Sequence, residues 1–431
     1  MAARVDSVRN AQTYLLFALV VAFLGGLGSI VSSTRAFAGA GYDPVETQWI
    51  DPWAANSQAE VVTDPSMKST VPMLGDAGFW PIVRAISMYR QIQHWGGWQP
   101  IPEGEPLRKG MRDSRVALLR KRLLATGDIA ASEGDQFLFD ESVYDGVRRF
   151  QARHGLGPDG VVGRGTVVAL NIPVSTRINQ LEVNLKRLSD VAPNLPKRYV
   201  FVNIAGQEVE AVENGQVVIR KRVIVGKEDR QTPELTSKIN FISLNPYWNV
   251  PLSIATKDLL PKIKANPHFL SRMGIRVFKG WGPNAPEVNP STVDWSNPDV
   301  TRDYRLRQDP SRLNSLGTVK INFPNQYAVY LHDTPVKTLF GRNARNFSSG
   351  CVRVQDVRDL AAWLMDRNKG WSRARIDQVI ASGDHMDVPL VSPVPIYMMY
   401  LTAWVAEDGV VNFRDDVYDR DYKISSSQSV D

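Results

Sequence analysis

Residues 332–354 read HDTPVKTLFGRNARNFSSGCVRV, and they hold the chain's one cysteine, Cys351, nineteen positions after His332. The run Tyr327–Leu331 before the histidine alternates in the manner of a half-buried strand. Ser348-Ser349-Gly350 leads into the cysteine. A thiol attacks a carbonyl only as the thiolate, so it needs a nearby base or a local positive potential. His332 is the candidate base. Gly350 lets backbone approach a substrate closely, and amide donors exposed there can face an oxyanion. By residue type this is a cysteine acyltransferase or hydrolase. An inert buried cysteine beside an ordinary histidine also fits.

The N-terminus bears on that choice. Arg4 and Arg9 precede an apolar run, Tyr14–Val31, and Ala36-Phe37-Ala38 follows as a small-x-small site. Residues 1–38 therefore read as a signal peptide cleaved after Ala38. A membrane anchor through 14–31 also fits, since its eighteen residues approach the lower limit for a spanning helix. The run's three glycines favour cleavage. Either way the bulk of the chain is exported. In an oxidising compartment structural cysteines come in pairs, so an unpaired Cys351 points to chemistry.

At 431 residues the chain has room for two or three domains, and its 43% hydrophobic and 22% charged content is that of a folded protein. Net charge is +6; residues 1–38 carry Arg4, Arg9 and Arg35 against Asp6, which leaves +4 on the rest. A mild basic excess suits an anionic envelope polymer or a generic surface. No dense Lys/Arg run marks nucleic-acid binding. The histidines at 94, 154, 268, 332 and 385 show no metal-ligand spacing, and no cofactor motif stands out.

Residues 39–104 read as a Trp/Pro/Gly-rich tether followed by a helix over 79–94. Residues 105–173 form a helical module. A helix over 112–125 has Asp113 or Ser114 as cap, with Val116, Leu119, Leu123 and Leu124 inward. Another covers 141–154 after Phe139-Asp140, with Val143, Val147 and Phe150 inward, and a third follows Gly165 with Thr166 as cap. Residues 174–198 are an amphipathic connector. From 199 to 405 short strands dominate, and Asn214-Gly215 is a hairpin turn. Residues 252–316 interrupt them with a helix over 254–265 and a Gly/Pro/Asn/Trp-rich stretch, read as an irregular lid beside the site. Strands resume at 318–323 and 328–331. Helices cover 356–367 and 372–380, and 394–405 is the last strand-like run. Residues 406–431 read as a tail, polar and disordered from Ser425.

With these stretches in hand, the chain resembles the L,D-transpeptidases with a YkuD-type catalytic domain, and more closely the YcbB-like murein transpeptidases. The motifs are H-D-T-P-x-x-x-LF with S-S-G-C-V-R-V, VGKEDRQTPELTSKI at 225–239, NPYWNVP at 245–251, KDLLPKI at 257–263 and VPIYMMYLTAWV at 394–405. Residues 105–173 resemble a peptidoglycan-binding module. The resemblance implies an α+β multidomain protein: a mostly-β catalytic domain with a lid insertion, a small helical peptidoglycan-binding domain and an N-terminal export segment. It implies that Cys351 attacks a tetrapeptide stem at its third residue, expels D-Ala, and passes the acyl group to the amine of a second stem as a 3–3 crosslink. His332 would move the protons, its ring held by a backbone carbonyl, with Asp333 pointing elsewhere. The amides of Gly350 and Cys351, in the loop with Ser349, would face the oxyanion. Arg353 would hold a substrate carboxylate or the loop. Tyr330 and Trp248 would line the cleft or pack in the core. Carbapenem-type β-lactams would acylate Cys351. Many smaller relatives have S-H-G-C where this chain has Ser349, which removes a second candidate base. A carboxypeptidase, a transferase attaching envelope proteins, and a non-catalytic binding protein remain as alternatives. The expected location is the periplasm or cell envelope.

Overall fold

The computed structural model describes residues 69–131, 134–191, 195–407 and 409–421. The export segment 1–38, the tether up to residue 68 and the tail beyond 421 lie outside the described residues. Among the described residues no helix is long and apolar enough to cross a membrane.

Helix Ser114–Ala125 starts where Asp113 accepts from the Arg115 amide (2.8 Å), and helix Glu141–Arg153 starts where Asp140 accepts from the Val143 amide (3.0 Å). Each cap satisfies an orphan donor of the first turn. With helix Arg164–Asn171 they enclose a core of Val116, Leu119, Leu123, Phe139, Val143, Val147 and Phe150. Two expectations change here. Leu124 is exposed, because a helix turns about 100° per residue and carries it off the 116/119/123 face. Arg122 is buried instead, its guanidinium 3.7 Å from the Trp98 ring centroid and donating to the Leu170 carbonyl at 3.1 Å. Thr166 is not the cap; Gly163 holds that position. Its hydroxyl lies inside the first turn, donating to the Val161 carbonyl (3.3 Å) and accepting from Gln151 (3.1 Å).

The strand-rich half is a nine-stranded sheet. Its strands are β1 (Arg198–Asn203), β2 (Glu208–Glu213), β3 (Gln216–Gly226), β4 (Leu235–Leu244), β9 (Val319–Asn322), β10 (Leu331–His332), β11 (Asn346–Ser348), β12 (Val352–Val354) and β13 (Met386–Met399). The order is β11-β3-β12-β10-β9-β4-β13-β1-β2, and β2 also pairs with β3, so the sheet closes on itself. The β2–β3 turn has positive φ at Asn214 (52°) and Gly215 (79°), the combination a type I′ hairpin requires. One sheet face builds a core from Val200, Val223, Ile242, Ile321, Leu331 and Val352 with helices Val357–Leu364 and Arg373–Ser382. Outward residues Tyr199, Phe201, Val212 and Met399 pack with helices Asp76–His94 and Val174–Ser189.

The insertion is more ordered than expected. A helical stretch runs Leu252–Ile254, Ala255–Leu259 and Leu260–Ala265, with a π-helical middle. A second sheet follows, of order β5-β8-β6-β7: Trp248–Asn249, Tyr304–Gln308, Ile275–Lys279 and Glu287–Val288. It has its own core of Leu260, Phe269, Val277 and Leu306. The expected strand over 328–331 shrinks to β10, because the Asn325 side chain folds 325–329 into a turn. Its Oδ1 accepts from the Tyr327 and Val329 amides (3.1 Å each), and Ala328 is left-handed (φ 53°). The last strand region starts at Met386, not 394. Pro389 and Val394 flank a register shift in β13, an irregularity of the kind that admits proline. Residues 406–421 are not a tail. β15 (Val411–Phe413) pairs with β14 (Ala403–Val405), and Tyr418 is buried.

Candidate active site

Register in the sheet sets the site. Leu331 pairs with Ile321 on β9 and Val352 on β12; His332 pairs with Lys320 and Arg353. Leu331, Ile321 and Val352 are fully buried in the core. Alternation therefore puts Lys320, His332 and Arg353 in one row on the opposite face. A cleft of about 500 Å³ opens there, lined by Trp248, Tyr330, His332, Ser349, Cys351 and Arg353. The sequence-derived candidates thus converge, with Gly350 in the loop between Ser349 and Cys351. The insertion supplies the facing wall through Ile254, Lys257, Asp258, Phe269 and Met273. Asp333 does not line the cleft. Its carboxylate accepts from the Thr318 amide (3.0 Å) and hydroxyl (2.9 Å) and pairs with Lys337.

The loop carrying Cys351 is tied from beneath. Gly350 adopts φ 110°, a conformation that L side chains rarely enter. Its amide donates to Ser348 Oγ (3.2 Å), and its carbonyl accepts from Thr232 Oγ1 (2.9 Å). Ser348 Oγ in turn donates to the Cys351 carbonyl. Thr232 Oγ1 also accepts from the Gly226 amide (2.8 Å), and the Tyr418 hydroxyl donates to the Gly226 carbonyl. A Cβ on Gly226 would lie 2.1 Å from the Arg230 carbonyl oxygen, so only glycine fits. Arg230 pairs with Asp258 of the insertion and donates to Ser349 Oγ (3.0 Å). Buried Arg345 donates to the Val223 (3.1 Å), Gln207 (3.1 Å) and Arg342 (2.8 Å) carbonyls and fixes the approach to β11. Because the Gly350 amide is engaged by Ser348, the expected pair of oxyanion donors reduces to the Cys351 amide. Thr232, Ser348, Arg345, Tyr418 and Lys320 escaped sequence reading. The first lies in the 225–239 stretch, next to Gly226 only in space.

Burial governs the charges. It pushes the Cys351 thiol up, against the Tyr330 backbone, Lys320, the Tyr330 hydroxyl and Arg353, which favour the thiolate. His332 is held down to about 3 by burial, then by the Arg353 charge, with Lys320 adding to it. Burial and Cys351 keep Tyr330 well above its ordinary value, so its hydroxyl stays protonated beside the thiol. At neutral pH the resting pair is a thiol and a neutral imidazole. The ring's Nδ1 is buried and makes no well-aligned hydrogen bond, but the Asp333 backbone beside it favours a proton on the ring, on the side where a carbonyl anchor is expected. The Tyr330 ring, 5.7 Å away centroid to centroid and edge-on, packs against the imidazole as well.

Residues 197–388 match the YkuD family, described as "L,D-transpeptidase catalytic domain", and residues 112–170 match "Putative peptidoglycan binding domain". Over those residues the chain is similar to the YkuD-type L,D-transpeptidase catalytic domain. A curated relative from Haemophilus influenzae named "Putative L,D-transpeptidase" is 36% identical over 260 residues, 60% of this chain and 52% of that protein. The chain thus spans about half the length of that relative. A solved L,D-transpeptidase from Stackebrandtia nassauensis is similar at 13% identity over 70% of this chain and 97% of the other (TM-score 0.26). One from Xylanimonas cellulosilytica is similar at 16% identity over 69% and 99% (TM-score 0.20). The match to the L,D-transpeptidase catalytic domain extends across the 252–316 insertion, and the match to the peptidoglycan-binding domain, over the helical module, precedes it.

Proposed function

We propose that this chain is an envelope enzyme that crosslinks peptidoglycan through a Cys351 thioester, with His332 moving the protons. The observation that carries the reading is His332, Arg353 and Cys351 lining one cleft, on a chain that also matches a peptidoglycan-binding module. As Cys351 Sγ attacks the carbonyl of the third stem residue, its proton passes to His332. A neutral imidazole is competent for this, whereas an imidazolium is not. The Cys351 amide faces the oxyanion. Collapse breaks the peptide bond to D-Ala, whose amine takes the proton from His332. The side-chain amine of a diaminopimelate in a second stem then attacks the thioester. It loses a proton to His332, and the returning thiolate recovers that proton. The net change is one amide exchanged for another.

The protonated Tyr330 hydroxyl reaches the thiolate, and the Trp248 indole donates to the Tyr330 hydroxyl. Arg353 lines the cleft where it can hold a substrate carboxylate. Carbapenem-type β-lactams would be attacked in the same way, their opened ring remaining on the thioester. Residues 1–38 would export the chain to the periplasm or cell envelope.

The test is incubation of the full chain with disaccharide-tetrapeptide, with products separated by chromatography and mass spectrometry. Appearance of 3–3 crosslinked dimer, lost in Cys351→Ala, supports the reading. Release of disaccharide-tripeptide alone would replace transpeptidation with carboxypeptidase activity. Dimer formation by Cys351→Ala would refute the mechanism.

A further inference from the structure

Lys320 is a buried-side cation for which the crosslinking chemistry above has no assigned use. It stands opposite His332 in the β9–β10 ladder, so both side chains leave the same face of the sheet. Its Nζ lies 4.2 Å from the Tyr330 ring centroid, and that ring packs edge-on against His332. On the other side of His332 stands Arg353, its partner on β12. On β4 the residue opposite Lys320 is Ser243, uncharged. The imidazole therefore sits between two cations, with the thiol in the same cleft.

We propose that Lys320 is a positioning residue for the acyl transfer, its ammonium held on the Tyr330 face so that Lys320 and Arg353 together bracket the Cys351–His332 pair with positive charge. This rests on the reading of Cys351 as nucleophile. The bracket has two effects. It favours the anionic sulfur, and it disfavours a proton on the resting imidazole, which keeps His332 free to accept one. The groups facing Lys320 are few: Cys351 and Asp387 of β13, which hold its own proton on against burial, then Tyr330 and His332. Cation–π contact with a tyrosine is modest in water but grows as the site is desolvated. Swapping in an uncharged chain of similar length removes the field and keeps most of the packing.

The test uses the absence of any other thiol in the chain. Iodoacetamide alkylation of Cys351 is followed by intact mass against pH for the full chain, Lys320→Met and Lys320→Arg, each checked for a cooperative melt. A charge at this range is worth about one pH unit at a half-buried site. K320M should alkylate with its midpoint raised by about one unit, K320R should match the wild type, and crosslinking by K320M should fall at least several-fold at neutral pH. A K320M midpoint equal to the wild type's overturns the proposal. If the wild type alkylates but forms no acyl-enzyme, the nucleophile reading fails instead, whatever K320M does. Should K320M not fold, the coupling is read from the other side. In the ¹³C-dimethylated chain, the resonance missing from K320R is that of Lys320. Its titration midpoint should fall in Cys351→Ser, and an unchanged midpoint overturns the proposal.

Discussion

Thr232→Val tests whether the site depends on the layer beneath it. Thr232 is completely buried, and its hydroxyl accepts from the Gly226 amide (2.8 Å) while donating to the Gly350 carbonyl (2.9 Å). Valine has the same shape and neither function. Two buried backbone groups then lose their partners, at about 1–3 kcal/mol each, so the cost is about 2–6 kcal/mol. The second effect is on rate. Gly350 directly precedes the nucleophile, and misplacement of a reacting group by about 1 Å costs on the order of 100-fold. Urea denaturation measures the first effect, and the rate of imipenem adduct formation measures the second. T232V should unfold at lower urea and acylate about 10- to 100-fold more slowly, while Thr232→Ser keeps the hydroxyl and much of both. If T232V acylates at the wild-type rate, the loop is held by something else and the account of the site's support is wrong.

Other outcomes follow from the same geometry. Gly226→Ala places a Cβ 2.1 Å from the Arg230 carbonyl oxygen and 2.7 Å from the Thr232 amide nitrogen, and should cost on the order of 3 kcal/mol in urea denaturation. Buried His332 is held down to about 3 against an ordinary 6.5, so the unfolded chain binds a proton that the folded chain refuses between those values. Its contribution is therefore complete above pH 6.5 and is lost as pH falls, by about 1.4 kcal/mol per unit. His332→Gln should flatten that part of the stability–pH curve; an unchanged slope would show the ring to be exposed to water. Asp140→Ala removes the cap of helix Glu141–Arg153 and should cost about 1 kcal/mol with acylation by imipenem unchanged.

What was legible in the sequence was local. Asp113 and Asp140 announce their helices through side chains that bond to amides two and three residues on. Asn214-Gly215 announces its hairpin, because two successive positive φ values suit few residues. Cys351, His332 and Arg353 stood out by type and motif. Features that depend on distant chain were hidden. Nothing near Tyr418 says that its hydroxyl meets the Gly226 carbonyl, and nothing near Lys320 says that it stands beside His332. The insertion read as irregular because its strands are two to five residues long and its turns rich in Pro and Gly, too short for periodicity to register. Residues 386–393 carry Pro389 and Pro393, which argue against a strand in the sequence, yet β13 begins at Met386 with a register shift between Pro389 and Val394.

The row Lys320–His332–Arg353 explains why core and chemistry are hard to separate here. Its members belong to three strands, and nothing bonds them to one another along the chain. They share a face only because Ile321, Leu331 and Val352, the residues next to them in sequence, share the other face and are fully buried. A slip of one residue in β10 would drive His332 into the core and bring Leu331 into the cleft. β10 is only two residues long, so its own hydrogen bonds hold that register weakly. The burial of Leu331 against Ile321 and Val352 does most of the holding, at about 2–5 kcal/mol for a leucine of this kind. The apolar side of the sheet is thus what places the polar side, and the site's geometry is inherited from the packing beneath it.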